Sequence, residues 1–324
     1  MKILAALISI FVSSNLFAVE SSNASSKKIA VLLKAKNNAF YDAILDGITE
    51  KASTYGYGIE THYGNSEDDW QSQINFLEKR GSEFDGIVLV PNRSDKFEKI
   101  LAALKAKSKP VIVLDTPVTL GKEYALTTIS SDNKLGGRLA ATFMSNQLRV
   151  EPFEEKCVIL FSGNKEAQTH KDRNSGFLEV MQNMHPEVKI YTYEGLSNFE
   201  KAKALAIKNM KQIQKCYGVF AGSDTMILGV LDAFESSNLR EPSILVGYDA
   251  VLEVQRKILE SKITASVQQA PADMARTAID SLKLYWEGKT VPPDQIITPK
   301  LAVRKFQLDL LGEKELAIVS PKVK

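Results

Sequence analysis

The chain has 324 residues, of which 44% are hydrophobic and 25% are charged, and this is the composition of an ordinary globular protein. Its 41 basic and 39 acidic residues nearly cancel to a net charge of +2. Without the basic stripe that phosphate groups require, nucleic acid is excluded as the expected partner. The length exceeds what one compact core usually holds, so we expect two lobes.

The segment over 1–18 has the pattern of a secretory signal peptide. Lys2 is followed by an apolar run over 3–12 and then by a short polar stretch that closes on Ala18. The run is too short to span a bilayer comfortably, and the Ser-rich stretch after it favours cleavage over retention as an anchor. We therefore expect an exported protein of the periplasm, with a flexible segment over 19–27 before its first strand.

Short apolar runs then alternate with helical patterns, and the runs are rich in β-branched residues, as is typical of parallel strands covered on both faces. The first half is predicted as strand 29–33, helix 40–55, strand 58–63, helix 68–80, strand 86–90, helix 96–107 and strand 111–114. The second half is predicted as helix 134–147, strand 158–161, helix 174–184, strand 188–194, helix 199–211, strand 218–221, helix 224–236, strand 243–247 and helix 251–260. A segment over 265–269 leads to helix 271–285, and one short strand follows Pro293.

This order of elements predicts an α/β protein of two doubly wound parallel-sheet lobes, joined by a hinge of several strand-like crossings. We assign 28–131 and 270–299 to the N-terminal lobe. The C-terminal lobe is assigned 132–269 and 300–324.

The two cysteines, Cys157 and Cys216, each stand at the start of a predicted strand. If those strands are neighbours, both sulfur atoms lie at the amino-terminal edge of one sheet. An exported protein in an oxidising compartment can join them in a disulfide, and two buried free thiols are the alternative.

A polar and aromatic corner follows the first strand, where Asn37, Asn38, Phe40 and Tyr41 lead directly into a helix. The carboxyl ends of parallel strands face an open crevice, so these side chains would be displayed to a ligand. Amides exchange hydrogen bonds with hydroxyl groups, and aromatic faces cover the apolar side of a ring. The corner therefore indicates a neutral, hydroxylated small molecule.

Three later strand ends repeat one theme, an acid beside a polar or aromatic residue. These pairs are Asp115 with Thr116, Asp224 with Ser223, and Asp249 with Tyr248. A carboxylate there can accept hydrogen bonds from two vicinal hydroxyls, each worth roughly 1.5–3 kcal/mol. Two such acids on opposite lobes would clamp a polyol. A helix cap is the alternative role for each acid, and for Asp224 we prefer the cap.

Several segments carry a resemblance to a known family. They are NNAFYDAILDG over 37–47, VIVLDT over 111–116, SDNKLGGRLA over 131–140, RNSGF over 173–177, VFAGSDTMILGVL over 219–231, VGYDA over 246–250 and ITASVQQAP over 263–271. In this order and spacing the chain resembles the periplasmic binding proteins of the ribose and galactose type, which have the type I fold.

The resemblance implies a set of ligand-binding residues. It places a polar residue and an aromatic sandwich at Asn38, Phe40 and Tyr41, hydroxyl-binding acids at Asp115 and Asp249, a hinge-side glutamine at Gln269 and an aromatic wall at Phe199. Three positions depart from the usual pattern, because Thr116 stands where an arginine is common, Ser223 where an asparagine is common and Lys34 where a small polar residue is common. A second-lobe arginine of the family aligns with Lys171, and Arg173 is nearby, so either of the two can face the ligand.

The function implied is capture of a sugar or sugar-like polyol, without catalysis, by a monomer that presents it to an ABC permease. A periplasmic sensor for a two-component, chemotaxis or quorum receptor is the alternative. A glycoside-cleaving enzyme with Asp115 and Asp249 as its paired acids is less favoured, since no catalytic motif accompanies them. A transcription repressor of this fold would carry a helix-turn-helix where the export segment stands. Neither a cofactor nor a metal is expected, because the three histidines lack ligand spacing.

Overall fold

The computed structural model describes residues 26–148 and 156–304, and the backbone of 316–318. The first lobe begins with β1 (Lys28–Leu33), α1 (Ala39–Thr54), β2 (Gly58–Tyr63), α2 (Trp70–Arg80), β3 (Gly86–Leu89), α3 (Glu98–Ala106), β4 (Val111–Leu114) and β5 (Thr127–Ser131). The second lobe follows with α4 (Asn133–Leu148), β6 (Cys157–Ser162), α5 (Gln168–Met184), β7 (Lys189–Glu194), α6 (Phe199–Lys208), α7 (Met210–Lys215), β8 (Gly218–Ala221), α8 (Asp224–Ser236), β9 (Ile244–Asp249), α9 (Leu252–Leu259) and β10 (Ala265–Gln268). The last described elements are α10 (Pro271–Trp286), β11 (Asp294–Ile297), β12 (Lys300–Val303) and β13 (Leu316–Ile318). The predicted signal peptide over 1–18 lies outside the described residues.

The described strands form two sheets. The first has the order β11-β5-β4-β3-β1-β2, and its neighbouring strands are all parallel. The second has the order β13-β12-β10-β9-β8-β6-β7, and only β10 and β12 pair in antiparallel fashion. The predicted fold class, two doubly wound lobes, is confirmed.

Each sheet is covered by helices on both faces, as β1 illustrates. Ile29, Val31 and Leu33 pack in one apolar cluster with residues of α1 and α10, whereas Ala30 and Leu32 pack in another with residues of α2 and α3. Burying one such Ile or Leu side chain contributes about 1.5–3 kcal/mol relative to leaving it exposed. This burial on both faces explains why the sequence of β1 is a continuous apolar run.

Close packing of α4 against α5 fixes the wall of the second lobe beside the cleft. A Cβ atom on Gly137 would overlap the carbonyl oxygen of Arg173, and one on Gly176 would overlap the carbonyl oxygen of Lys134. The glycines therefore allow the two helices to touch through their backbones. α5 is thereby held so that its first two turns face the first lobe.

The chain changes sheets between β5 and α4, between β10 and α10, and between β11 and β12. Cys157 opens β6, Cys216 comes shortly before the neighbouring β8, and the two form a disulfide. The bridge lies at the amino-terminal edge of the second sheet, at the end away from the cleft.

Several predicted boundaries were wrong. β5 was not predicted, because its sequence TTISS is polar although every residue of it is buried. α5 begins at Gln168 and not at 174, and its N-cap residue Ala167 offers no side-chain signal. The helix predicted over 199–211 is two helices that meet at Asn209, and three described strands, not one, follow Pro293.

Candidate functional site

The carboxyl ends of strands from both sheets meet at a cleft between the lobes, and a small inner cavity lies there. We use the name inner cavity for the space lined by Lys34, Asn38, Phe40, Tyr41, Glu67, Asp115, Thr169, His170, Arg173, Ser197, Ser223 and Asp249. This is the crevice position at which α/β sheets bind ligands. Of the predicted site residues, it brings together Asn38, Phe40, Tyr41, Asp115, Arg173, Ser223 and Asp249.

The corner after β1 forms the aromatic side of the inner cavity. Asn38 caps α1, since its side-chain oxygen accepts a hydrogen bond from the Phe40 amide at 3.0 Å. The rings of Phe40 and Tyr41 meet edge to face with centroids 5.7 Å apart, and both residues are buried. Tyr41 donates its hydroxyl proton to Glu67 at 2.9 Å, and Asn38 donates to the same carboxylate at 3.3 Å. The helix cap therefore sets the position of both rings.

Asp115 directly follows β4 and has a φ of 64°, in the left-handed region. Its Oδ2 atom accepts a hydrogen bond from Thr116 at 2.8 Å and lies 3.5 Å from the Lys34 ammonium nitrogen. Its Oδ1 atom is buried and has no hydrogen-bond partner. Thr116 is itself fully buried behind the acid and does not line the inner cavity. One carboxylate oxygen is thus held in place and the other is left available.

Arg173 supplies the cationic wall of the second lobe. Its Nε donates to Asn133 at 2.8 Å, its Nη1 donates to the Gly222 carbonyl at 2.7 Å, and its guanidinium lies 3.8 Å from the centre of the Tyr248 ring. Stacking and a rigid fork of donors hold an arginine in a single orientation. Lys171, by contrast, is exposed and does not line the cavity.

Asp249 ends β9 and lies opposite the first lobe. Its Oδ1 accepts a hydrogen bond from Gln269 at 2.5 Å and lies 3.7 Å from Nη1 of Arg173. Burial raises the pKa of the Asp249 carboxyl to about 7, against the opposing effects of Arg173 and Gln269. Gln269 is fully buried behind the acid, at the crossing from β10 to α10, and therefore positions Asp249 from outside the cavity lining.

The preferred interpretation of Asp224 as a helix cap was wrong. Ser223 is the N-cap residue of α8, and Asp224 is the first helical residue. The Asp224 carboxylate accepts hydrogen bonds from the Val251 amide and the Ser266 hydroxyl, both at 2.7 Å. It therefore fixes the chain after β9, which carries Asp249. The hydroxyl oxygen of Ser223 is buried, without a hydrogen-bond partner, and lines the inner cavity.

Glu67 and Ser197 were missed as residues of the inner cavity, and His170 lines it as well. The Nε2 atom of His170 lies 3.0 Å from the Ser197 hydroxyl, and its Nδ1 atom is buried without a partner. Burial lowers the pKa of His170 well below its usual value, with Arg173 and Lys34 adding to the effect, so the imidazole is neutral. Glu67 follows β2 and Ser197 follows β7, so the strand-end rule that found Asp115 also applies to them.

The lobes touch at the rim of the cleft. Asn164 donates to Asp68 at 3.3 Å, and the Gln168 amide donates to the Ser94 hydroxyl at 3.1 Å. A guanidinium nitrogen of Arg93 lies 3.3 Å from a Glu166 carboxylate oxygen. These contacts join the first lobe to the second and show that the cleft is closed.

A larger outer chamber adjoins the inner cavity on one side of the cleft. We define it by its lining residues Ala35, Lys36, Asn37, Asn38, Asn65, Ser66, Glu67, Asp68, Asn164, Leu196, Ser197, Asn198, Phe199, Lys201 and Thr225. Phe199, predicted as an aromatic wall of the binding pocket, lies here and not in the inner cavity.

The inner cavity offers hydrogen-bonding atoms from both lobes that the protein itself leaves unused. They include Oδ1 of Asp115 on the first lobe, with Nδ1 of His170 and the hydroxyl of Ser223 on the second. Its two basic side chains face three acids, and burial raises the pKa of both Glu67 and Asp249. The chemistry suits an uncharged molecule with several hydroxyl groups.

Among the described residues, no group of three or more His, Cys, Asp or Glu side chains is arranged to hold a metal ion. Within the same part of the chain, no helix has both the length and the apolar character needed to cross a bilayer.

Comparisons with known proteins agree with this geometry. The sequence model of a family described as "Periplasmic binding protein domain" matches residues 29–290. The chain is 25% identical over 315 residues to a ribose import binding protein of Escherichia coli strain K12, covering 94% of this chain and 99% of the relative. It is 26% identical over 250 residues to a galactofuranose-binding protein of the same strain, covering 74% and 77%.

Solved structures share the fold. An ABC transporter periplasmic solute binding protein from Actinobacillus succinogenes 130z with bound D-allose superposes with a TM-score of 0.79 at 20% identity, covering 88% of this chain and 100% of that one. A Mycobacterium smegmatis protein in complex with β-D-fucofuranose superposes with a TM-score of 0.80, also at 20% identity, covering 89% and 95%.

Proposed function

We propose that this chain, which belongs to the family of periplasmic binding protein domains, is an exported solute-binding protein. It captures a sugar or sugar-like polyol between its two lobes and presents it to an ABC permease. The observation that carries this proposal is the inner cavity, where buried, unpartnered polar atoms of both lobes converge beside two aromatic rings. Buried polar atoms in native proteins normally have partners, so this cluster points to a ligand that supplies them.

Each lobe has a defined part in binding. Phe40 and Tyr41 cover the apolar faces of the sugar ring, while Asp115 accepts hydrogen bonds from its hydroxyls. On the second lobe Arg173, Ser223 and Asp249 bind the remaining hydroxyls. Thr116 and Gln269 position the two acids. In this proposal Arg173 faces the ligand and Lys171 does not.

Closure follows from this division of contacts. Only the closed form lets both lobes bond one ligand, so the ligand stabilises that form. We propose that the three crossings between the sheets form the hinge, between a lobe of 28–131 with 270–299 and a lobe of 132–269 with 300–324. A permease would then distinguish the closed pair of lobes from the open one.

Names of relatives support a sugar as the ligand and import as the role. They include a ribose import binding protein, a D-allose-binding periplasmic protein and a galactofuranose-binding protein. We therefore propose transport in preference to sensing, by a monomer located in the periplasm after removal of 1–18. No catalytic step is part of the proposal, since the family is one of binding proteins.

Thermal unfolding with a panel of pentoses, hexoses, inositols and furanosides tests the proposal. At least one compound should raise the melting temperature in a concentration-dependent way, because a ligand that binds only the folded state stabilises it. Chromatography of the same mixture should return the compound chemically unchanged. If no compound shifts the melting temperature, the sugar proposal is wrong, and conversion of the compound would favour a glycoside-cleaving enzyme.

A further inference from the structure

We propose that the outer chamber is a second binding subsite, which holds a second sugar unit or another aglycone of the same ligand. The preferred ligand is then a disaccharide or other glycoside and not a single free sugar. This inference rests on the proposed function, because the inner cavity must bind the first sugar unit.

The first step is that the outer chamber and the inner cavity are continuous. Asn38, Glu67 and Ser197 line both of them. On the first lobe, Glu67 accepts hydrogen bonds from Asn38 and Tyr41. On the opposite side of the cleft, Ser197 of the second lobe is hydrogen-bonded to His170 of the same lobe. A ligand bound in the inner cavity therefore has a path into the chamber between side chains that already take part in the site.

The second step concerns space. In the closed structure the inner cavity has a volume of about 20 Å³, enough for one water molecule, so its walls must move apart to admit a sugar ring. The outer chamber, by contrast, has a volume of about 650 Å³. The chamber is therefore in the size range of small-molecule sites, roughly 300–1,000 Å³. Contacts between the lobes at Asn164 and Asp68 do not close it. A single sugar ring held in a widened inner cavity would leave the volume of the outer chamber unfilled.

The third step concerns the backbone. Three residues that line the chamber have positive φ values: Asn37 at 59°, Leu196 at 56° and Ser197 at 54°. Asn37 belongs to the first lobe, and the other two belong to the second. A left-handed conformation costs energy for a non-glycine residue, most of all for a bulky one such as Leu196. Strain of this kind concentrates at ligand sites. Here it directs the loop that presents Ser197 to the boundary and Phe199 to the chamber.

The fourth step concerns chemistry. Five asparagines line the chamber, and an amide both donates and accepts hydrogen bonds, as hydroxyl groups require. Asn38, Asn65 and Asn164 already donate to acids of the protein, so Asn37 and Asn198 are the ones that can serve a ligand. Asn198 is exposed and uses its oxygen to cap α6 through the Lys201 amide at 2.8 Å, so the cap does not engage its NH₂ group. Phe199 is partly exposed and can cover the apolar face of a ring. Two lysines and two acids line the same space, so their charges balance and an uncharged ligand is favoured.

Calorimetric titration of the full chain tests this inference. D-ribose, D-allose and D-galactose are each compared with their α- and β-phenyl glycosides and with disaccharides that carry the same terminal unit. We expect at least one glycoside or disaccharide to bind about tenfold more tightly than its parent sugar. Phe199→Ala should abolish this difference without changing the affinity for the parent sugar.

Two further variants separate the possible outcomes. Tyr285→Ala removes an aromatic residue that is 37% exposed on α10, away from the chamber, and should change neither affinity. Phe199→Leu keeps an apolar side chain and should retain part of the difference, and it replaces Phe199→Ala if that variant does not fold. Equal affinities for parent sugars and glycosides, or an equal loss of both in Phe199→Ala, would overturn the second subsite alone. Absence of binding by every compound would overturn the proposed function as well.

Discussion

The ammonium nitrogen of Lys34 lies 3.5 Å from Oδ2 of Asp115, and each side chain is only 4% exposed. Lys34 follows β1 and Asp115 follows β4, two strands separated by β3 in the first sheet. A buried ion pair costs much desolvation energy, and removal of one partner leaves the other charge without compensation. The pair is therefore a good place to separate effects on folding from effects on binding.

Lys34→Met should lower the free energy of unfolding by about 3 kcal/mol, because it leaves Asp115 buried without its cation. The double variant Lys34→Met with Asp115→Asn should regain much of that loss, since neither charge remains. Urea unfolding of the single and double variants measures the coupling. Lys27→Met is the matched control, as its pair with Asp85 is about 40% exposed on both sides and should change stability by less than about 1 kcal/mol. Equal losses in Lys34→Met and Lys27→Met would contradict this prediction.

Arg173 and Lys171 provide a second test, because the sequence alone did not decide which of the two faces the ligand. Arg173→Lys should weaken sugar binding at least about tenfold, since a lysine cannot replace the fork that holds Asn133 and the Gly222 carbonyl while stacking on Tyr248. Lys171→Ala should bind as the unchanged protein does. Titration with the sugar that most raises the melting temperature measures the affinity of both variants. Loss of binding in Lys171→Ala alone would show that Lys171, and not Arg173, faces the ligand.

Patterns of apolar residues predicted most of the fold, and the exceptions have physical reasons. The run Ile29, Ala30, Val31, Leu32 and Leu33 predicts a strand because both of its faces are covered. β5 has the sequence TTISS, and its polar side chains are buried only because β4 and β11 flank it in the folded sheet. Part of this burial depends on β11, which lies more than a hundred positions further along the chain, and it leaves no local signal.

Two acids of the inner cavity were predicted from central strands, and two of its other members, which follow edge strands, were not predicted. Asp115 follows one fully buried strand and Asp249 ends another, and such strands are clear in a sequence. Glu67 and Ser197 come after β2 and β7, the edge strands of the two sheets, whose residues are largely half-buried or exposed. The strand-end rule therefore applies to loops after edge strands as well as to loops after central strands.

Removal of the disulfide should destabilise the second lobe without affecting the site. The bridge joins Cys157 to Cys216 across 59 residues, and a loop of that length contributes about 4 kcal/mol in the chain-entropy model. Cys157→Ala with Cys216→Ala should lower the free energy of unfolding by roughly that amount, and reduction of the unchanged protein should do the same. Sugar affinity at moderate temperature should be unaltered, because the bridge lies at the opposite end of the sheet from the cleft. Equal stability with and without reductant would show that the two thiols are not joined in the protein.

The buried acid Asp249 predicts a stability that depends on pH. Its pKa in the folded protein is about 7 because of burial, above the usual 3.8, so between these values the folded state holds a proton that the unfolded chain releases. The contribution of this carboxyl to the free energy of unfolding is therefore fully present below about pH 4, and it is lost as the pH rises through about 7. Asp249→Asn cannot ionise, and its stability relative to the unchanged protein should improve with rising pH, by up to about 1.4 kcal/mol per unit.

Urea unfolding of the ligand-free protein between about pH 4 and 8 measures this slope. Asp85→Asn is the control: burial raises the pKa of Asp85, but hydrogen bonds from the Lys28 amide and the Lys27 ammonium outweigh burial, and the net shift is downward. Its contribution changes only below about pH 4, so the difference between Asp85→Asn and the unchanged protein should stay flat across the range. A flat difference for Asp249→Asn as well would mean that Arg173 and Gln269 keep Asp249 ionised throughout. In that case the carboxylate would meet the ligand as a full charge at every pH tested, and sugar affinity would show no loss on acidification to about pH 5.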